Sequence, residues 1–217
     1  MKDIAVFLCN LTLNAAQPWL DGGYIVIMVD PQHPKGIHRQ GNVIRVGKTV
    51  RGSYAFLGKL IRSGRVGFVA GFPPCTDVAL SGTRWWAEKR AADPYFQARA
   101  AIIAEQCRAV GALAGCPWVF ENPKSAFSSI FGAPKSKFHP YEYTGYCEDD
   151  NYKKETWLWH GGGFVMPPPF RDPTLGPPDD RIHRAAPTKD PQERANFRSA
   201  TPVGFSKAMY QFNAEML

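Results

Sequence analysis

Two residues whose side chains could do covalent chemistry follow short apolar segments of this chain. Cys75 lies in GFPPC, and Glu121 lies in FENP. A thiolate can add to carbon 6 of a pyrimidine ring if the negative charge that develops on the ring is accommodated. A carboxylic acid placed against ring nitrogen 3 does this by sharing or donating a proton. The pair therefore predicts nucleophilic catalysis on a pyrimidine base.

The residues beside this thiol and this carboxyl restrict the backbone. Pro73 and Pro74 precede the thiol, and their fixed φ angles would aim the sulfur. Asn122 and Pro123 follow the carboxyl and would hold its turn in place. A free cysteine is also common as a small buried apolar residue, so the cysteine alone is a weak signal. Its combination with a carboxyl group at a second strand end is what favours catalysis.

Apolar segments and helix signals alternate along the chain. Four segments have the composition of strands buried on both faces of a parallel sheet: 3–9, 24–30, 65–72 and 118–120. Three further segments are predicted to be helices: 13–23, 95–115 and, near the end, 205–215. This order predicts one α/β domain over residues 1–217, with a mostly parallel sheet and helices on both faces.

Several polar or reactive residues come just after these predicted strands. Residues 10–12 follow the first strand, Asp30 follows the second, and Cys75 and Glu121 follow the third and fourth. In open α/β sheets, ligands bind outside the carboxyl ends of the strands. We therefore expect these residues to lie together at one edge of the sheet.

Residues 124–191 are rich in Pro, Gly and aromatic side chains and show no regular periodicity. A stretch of this length within one domain is usually a functional loop system or disordered, and its aromatic content argues against disorder. We predict an irregular region here. The tryptophans at 85, 86, 157 and 159 are expected to serve packing rather than base stacking.

The formal charge of +7 is unevenly distributed. No Asp or Glu occurs between Pro31 and Thr76, whereas this segment carries eight cations: Lys35, Arg39, Arg45, Lys48, Arg51, Lys59, Arg62 and Arg65. Such a segment favours a polyanionic partner, because cations that neutralise phosphates release condensed counterions. The alternative is a solvated basic face.

Cysteine usage and hydropathy exclude some classes of protein. The five cysteines form no C-x-x-C pair and the histidines are scattered, so neither a disulfide framework nor a metal site is predicted. No run of 18 apolar residues occurs, and the first residues do not resemble a cleavable signal. We expect no membrane association and a cytoplasmic location.

The GFPPC and ENP segments resemble the catalytic Pro-Cys and Glu-Asn motifs of DNA cytosine carbon-5 methyltransferases. The likeness is greatest to the small methylase-like proteins of bacteriophages, and there it extends over most of the chain, from FLCNLTLNAAQPW to ERANFRSATPVGFSKAMYQFN. The resemblance implies a Rossmann-like, S-adenosylmethionine-dependent methyltransferase fold. It also implies base flipping for duplex DNA, because carbon 6 of a stacked cytosine is out of reach of an active-site thiol. For a phage-encoded chain, the expected cytoplasmic location would be the host cytoplasm.

The resemblance implies a role for each matching residue. Cys75 would attack carbon 6 of cytosine, and Glu121 would contact nitrogen 3 and the exocyclic amine. The positions implied to lie against S-adenosylmethionine are Phe7, Asn10, Leu11, Thr12, Asp30 and Pro74, with Asp30 on the ribose hydroxyls. The positions expected to contact the DNA substrate are Arg84, Asn122, Pro123, Lys153 and Lys154.

Three departures from the large enzymes leave alternatives open. The first loop, CNLTLNAA, contains no glycine. The Gln-x-Arg-x-Arg motif that contacts the flipped base in the large enzymes is absent, and RIHR (181–184) or Arg84 would have to take its place. Residues 124–191 would also have to replace a target-recognition domain, or a protein partner would supply sequence specificity. The alternatives are an enzyme that modifies free pyrimidine nucleotides with the same thiol chemistry, and a catalytically silent nucleic-acid-binding module that keeps the fold.

Overall fold

A computed structural model describes residues 1–182 and 190–215 of the chain. Within them, eight strands form one sheet: β1 (Ile4–Leu8), β2 (Ile25–Val29), β3 (Gly36–Gln40), β4 (Val43–Gly47), β5 (Val66–Gly71), β6 (Trp118–Pro123), β7 (Ser136–Phe138) and β8 (Thr156–Gly161). Their order across the sheet is β3-β4-β2-β1-β5-β6-β8-β7. The five strands from β4 to β6 are parallel, and the antiparallel pairs β3–β4, β6–β8 and β7–β8 lie toward the two sides.

Seven α-helices accompany the sheet in the described part of the chain: α1 (Gln17–Asp21), α2 (Tyr54–Arg62), α3 (Trp86–Ala92), α4 (Phe96–Ala114), α5 (Phe127–Phe131), α6 (Pro191–Ser199) and α7 (Val203–Asn213). α1 and α7 contact each other on one face of the sheet. α2 and α4 pack on the opposite face. None of these helices combines the length and the apolar character needed to cross a bilayer.

The central strand β1 shows why the sheet needs both layers. Ile4, Val6 and Leu8 belong to the hydrophobic cluster that contains α4, and Ala5 and Phe7 belong to the cluster that contains α7. All five side chains are buried. Successive side chains of a strand point to opposite faces, so a continuously apolar strand is stable only when both faces are covered.

Gly71, the last residue of β5, allows α4 to approach the sheet closely. A Cβ atom at this position would lie 2.5 Å from Cβ of Cys107 and 2.8 Å from its Sγ. Because β5 ends in a glycine and α4 places the small side chain of Cys107 opposite it, the helix packs directly over the end of β5. This contact fixes the start of the loop that carries the candidate nucleophile.

The expected α/β architecture is confirmed, and several elements differ from the prediction. The β3–β4 hairpin and α2 were not predicted. β6 continues through Pro123 instead of ending at residue 120, so Glu121 and Asn122 lie inside the strand. Residues 124–191 are not irregular throughout, because they contain α5, β7 and β8. β8 is inserted next to β6 and makes the sheet mixed.

Candidate active site at the carboxyl edge of the sheet

The topology creates a switch point beside β1. The chain passes from β1 to β2 and β4 on one side and then returns to β5 on the other side of β1. The loops that leave β1 and β5 therefore diverge at their carboxyl ends, which is where ligands bind in doubly wound sheets. The loop after β5 carries Cys75, and the loop after β1 carries residues 9–12.

The Cys75 turn is held by hydrogen bonds from three directions. The Cys75 carbonyl accepts from the backbone N–H groups of Val78 and Ala79 at 3.0 and 2.8 Å. Asn122 donates from Nδ2 to the carbonyl of Pro73 at 2.9 Å, which ties the turn to β6. Lys89 of α3 donates to Thr76 O at 3.0 Å and to the Asp77 carboxylate at 2.6 Å, so the turn is also fixed from its far side. The thiol itself remains half-buried.

Glu121 and Asn122 diverge because they are neighbours on a strand. Asn122 is 1% exposed and directs its amide to the Cys75 turn. Glu121 pairs with Leu158 of β8 and lines an apolar recess between the sheet and the first turn of α7. The other residues that line this recess are Gly71, Phe72, Val119, Phe138, Leu158, Thr201, Pro202, Phe205 and Met209.

The thiol and the carboxyl influence each other's surroundings. Burial raises the pKa of Cys75, and the nearby Glu121 carboxylate raises it further, while Lys154 and Arg198 oppose the shift. Burial also raises the pKa of Glu121, and Lys154 again opposes it. Burial therefore shifts both groups toward their neutral forms. Lys154 is the cation common to both groups, and its Nζ atom donates to Ala200 O at 2.9 Å.

The glycine-free loop after β1 makes its turn with a cysteine. Cys9 has φ of 53°, in the left-handed region that usually requires glycine. The next residue, Asn10, is 5% exposed, and its Oδ1 atom has no hydrogen-bond partner among the described residues. A buried polar atom without a partner is costly, so the loop presents an acceptor that a ligand could satisfy.

Asp30 lies beside this loop, directly after β2. Its Oδ1 atom accepts from the backbone N–H of Gln32 at 2.8 Å, and burial raises its pKa. His33 connects the two loops, because its Nε2 atom donates to the carbonyl of Asn10 at 3.0 Å and its backbone N–H donates to Asp30 O. The structure thus brings Asn10 and Asp30 to adjacent points of the carboxyl edge.

The remaining predicted positions differ in exposure. Phe7 is fully buried against Trp19, so it supports the loop after β1 from below. Leu11 is half-buried and Thr12 is exposed. Pro74 is exposed beside Cys75.

Among the predicted substrate contacts, Arg84 is exposed, and its guanidinium lies 5.0 Å from the Trp85 ring centroid. Lys153 is exposed, whereas Lys154 is half-buried. Pro123 ends β6. Of the RIHR segment, Arg181 pairs with Asp179 at 2.7 Å, and residues 183–184 lie outside the described residues.

The cations of the acid-free basic segment are divided between the carboxyl ends and the amino ends of the parallel strands. Three of its cations lie at the carboxyl edge, around the end of β4: Lys35, Lys48 and Arg51. Arg62 and Arg65 lie at the opposite edge, where α2 ends and β5 begins. Arg65 is also paired with Asp3 at 2.5 Å. The eight cations therefore do not form one continuous face.

Sequence reasoning missed two features that complete the site. Arg198 of α6 affects the pKa of Cys75 but follows it by more than a hundred residues, and no local pattern identifies it. The buried Asp150 carboxylate accepts from the Gly204 N–H at 2.6 Å and fixes the first turn of α7 over the recess. A Cβ atom at Gly204 would lie 2.5 Å from the Tyr143 carbonyl oxygen, which explains the glycine in TPVGF.

Comparison with known proteins adds no assignment to this geometry. No protein-family model matches the chain, and no curated protein is significantly similar to it in sequence.

Proposed function

We propose that the protein is an S-adenosylmethionine-dependent DNA methyltransferase that modifies carbon 5 of cytosine through a covalent adduct at Cys75. The observation that carries this proposal is the placement of the thiol and the Glu121 carboxyl within electrostatic reach of each other, next to the switch point between β1 and β5. A half-buried Lys154 lies near both groups.

The cofactor fits the neighbouring loops. The unsatisfied Oδ1 atom of Asn10 can accept from a ligand amine or hydroxyl, and the Asp30 carboxyl can accept from ribose hydroxyls. When bound, S-adenosylmethionine would supply an electrophilic methyl group. The left-handed conformation of Cys9 supports this fit, because it provides the turn for which other methyltransferases use glycine.

The chain's own residues account for activation of the base. The Cys75 thiol loses its proton to water, and the sulfur forms a bond to carbon 6 while Lys154 stabilises the thiolate. Glu121, whose pKa is raised by burial, donates a proton to nitrogen 3 from its acid form, so the ring stays neutral and carbon 5 becomes nucleophilic. After methylation, carbon 5 loses its proton, the sulfur–carbon 6 bond breaks to release the thiolate, which regains a proton from water, and the nitrogen 3 proton returns to Glu121. The net products are 5-methylcytosine, S-adenosylhomocysteine and one proton.

DNA that contains 5-fluorocytosine tests the covalent step. Fluorine cannot leave as a proton would, so the sulfur–carbon bond should persist and give an adduct that survives denaturing electrophoresis. Cys75→Ser should abolish the adduct. Cys147→Ser is the matched control, because Cys147 is also a half-buried free cysteine and should be dispensable. Failure to form an adduct or transfer methyl groups on both single-stranded and duplex DNA would overturn the proposal.

Calorimetric titration tests the cofactor separately. The folded protein should bind S-adenosylmethionine and S-adenosylhomocysteine, and Asp30→Ala should weaken both. Binding of neither compound would leave Cys75 and Glu121 without a methyl donor. That result would favour a pyrimidine-binding protein without methyl transfer over the enzyme proposed here.

A further inference from the structure

An exposed aromatic segment begins a few residues after Cys75. The chain from Leu80 through Trp85 forms a 3-10 helix that leads directly into α3, and neither element contains a buried residue. The side chain of Trp85 is 52% exposed. This contrasts with the expected packing role, which holds for Trp157 and Trp159 at 7% and 4% exposure.

The segment is exposed but firmly attached to the site. At its beginning, Leu80 N–H donates to Lys124 O at 2.9 Å, immediately after the end of β6. At its other end, Lys89 donates to Thr76 and Asp77, next to the nucleophile. Its two attachments therefore lie beside the two candidate catalytic residues. An element held in this way can present a side chain to a substrate without reordering.

The Arg84–Trp85 pair has the chemistry of a nucleobase contact. The Arg84 guanidinium lies 5.0 Å from the indole centroid and covers one side of the ring system. Aromatic faces stack with bases whatever their sequence, and a guanidinium adds a cation–π contribution and can also reach a phosphate. An exposed Trp with this neighbour suits a polynucleotide better than a packing interface.

We propose that Trp85, supported by Arg84, stacks on a nucleobase adjacent to the cytosine that reaches Cys75. This rests on the proposed function, and it specifies the substrate class. The substrate is a polynucleotide in which at least one base next to the target is unstacked from its neighbour. A free nucleotide has only one base, so it cannot occupy the Cys75 site and stack on Trp85 at the same time.

Equilibrium binding of DNA by the Cys75→Ala variant, the parent for the variants below, tests the stacking contact without covalent chemistry. Fluorescence anisotropy with labelled single-stranded and duplex oligonucleotides should show a loss of roughly 5- to 150-fold in affinity for Trp85→Ala, the range expected for one stacked base. Trp85→Phe should retain part of the affinity. The salt dependence of Trp85→Ala should match that of the parent, because the indole neutralises no phosphate, whereas Arg84→Ala should reduce the slope.

Tyr95→Ala is the matched control, because Tyr95 is 68% exposed and lies beyond the far end of α3. It should bind DNA as the parent does. Quenching of tryptophan fluorescence by DNA should decrease in Trp85→Phe and not in Tyr95→Ala. The far-ultraviolet circular dichroism of every variant should match that of the parent, because neither ring is buried.

The outcomes separate this inference from the proposed function. If the parent binds DNA and Trp85→Ala binds equally well, the inference is wrong even if the adduct forms at Cys75. If Trp85→Ala loses affinity but no adduct forms with any DNA, the stacking contact stands and the methyltransferase proposal fails. If the parent binds a free cytidine nucleotide and no oligonucleotide, both are wrong.

Discussion

The bond between Asn122 and Pro73 offers the sharpest test of how the fold positions the nucleophile. The Asn122 amide donates to the Pro73 carbonyl at 2.9 Å and joins two strand ends that are 49 residues apart in the chain. Both residues are buried. Asn122→Ala removes the donor and leaves a buried carbonyl oxygen without it.

The expected destabilisation is about 2 kcal/mol, because an unsatisfied buried polar group costs roughly 1–3 kcal/mol. For a chain of this size, that corresponds to a decrease of about 4–8 °C in the midpoint of thermal unfolding. Urea denaturation followed by circular dichroism measures the free energy of unfolding. Alkylation of Cys75 by iodoacetamide, followed by peptide mass spectrometry, reports whether the turn has loosened. We expect faster alkylation in the variant.

Asn151→Ala is the matched control for this measurement. Its Nδ2 atom also donates to a backbone carbonyl, that of Gly176, but this bond is exposed to solvent. The control should therefore lose much less stability, since water can replace the donor. If Asn122→Ala unfolds at the same urea concentration as the wild-type protein and the rate of Cys75 alkylation is unchanged, the idea that this bond holds the Cys75 turn is refuted.

Three further perturbations test the site and its surroundings. Because burial raises the pKa of Glu121, the wild-type protein loses stability as the pH rises above the ordinary carboxyl pKa. Glu121→Gln should therefore gain thermal stability relative to wild type as the pH rises above about 4. Lys154→Met should slow alkylation of Cys75 at a fixed pH, because the ammonium lowers the thiol pKa, while Lys153→Met should not. Gly204→Ala should lose about 1–3 kcal/mol in urea denaturation, because its Cβ would lie 2.5 Å from a backbone oxygen.

The central parallel strands were predictable because their residues are apolar on both faces. β1, β2 and β5 contain almost uninterrupted Val, Ile, Phe and Ala, as strands covered by helices on both sides require. β3 reads GIHRQ and is largely exposed at the sheet edge, so it has neither the apolar run nor a clear alternation. β8 is buried, but its short TWLWHG segment lies among prolines and glycines that obscure it.

The residues of the candidate site likewise divide into those that the sequence predicts and those that it does not. Cys75, Glu121, Asn10 and Asp30 could be predicted to lie at one edge of the sheet from their places after apolar segments, because a parallel sheet collects its strand ends there. Arg198 reaches the site through tertiary packing, which leaves no local signature in the sequence. Trp85 was assigned to packing from its residue type, and only the arrangement of α3 reveals its exposure.

The protonation states of Cys75 and Glu121 define a further constraint on the proposed catalysis. In the proposed mechanism, attack requires the Cys75 thiolate together with the neutral Glu121 acid, and burial raises the pKa of both groups. The population of this combination depends on the separation between the two pKa values. Lys154 lowers both values, so it favours the thiolate at the expense of the acid. Its removal should displace both limbs of the pH–rate profile to higher pH, and a profile in which only one limb moved would mean that Lys154 acts on only one of the two groups.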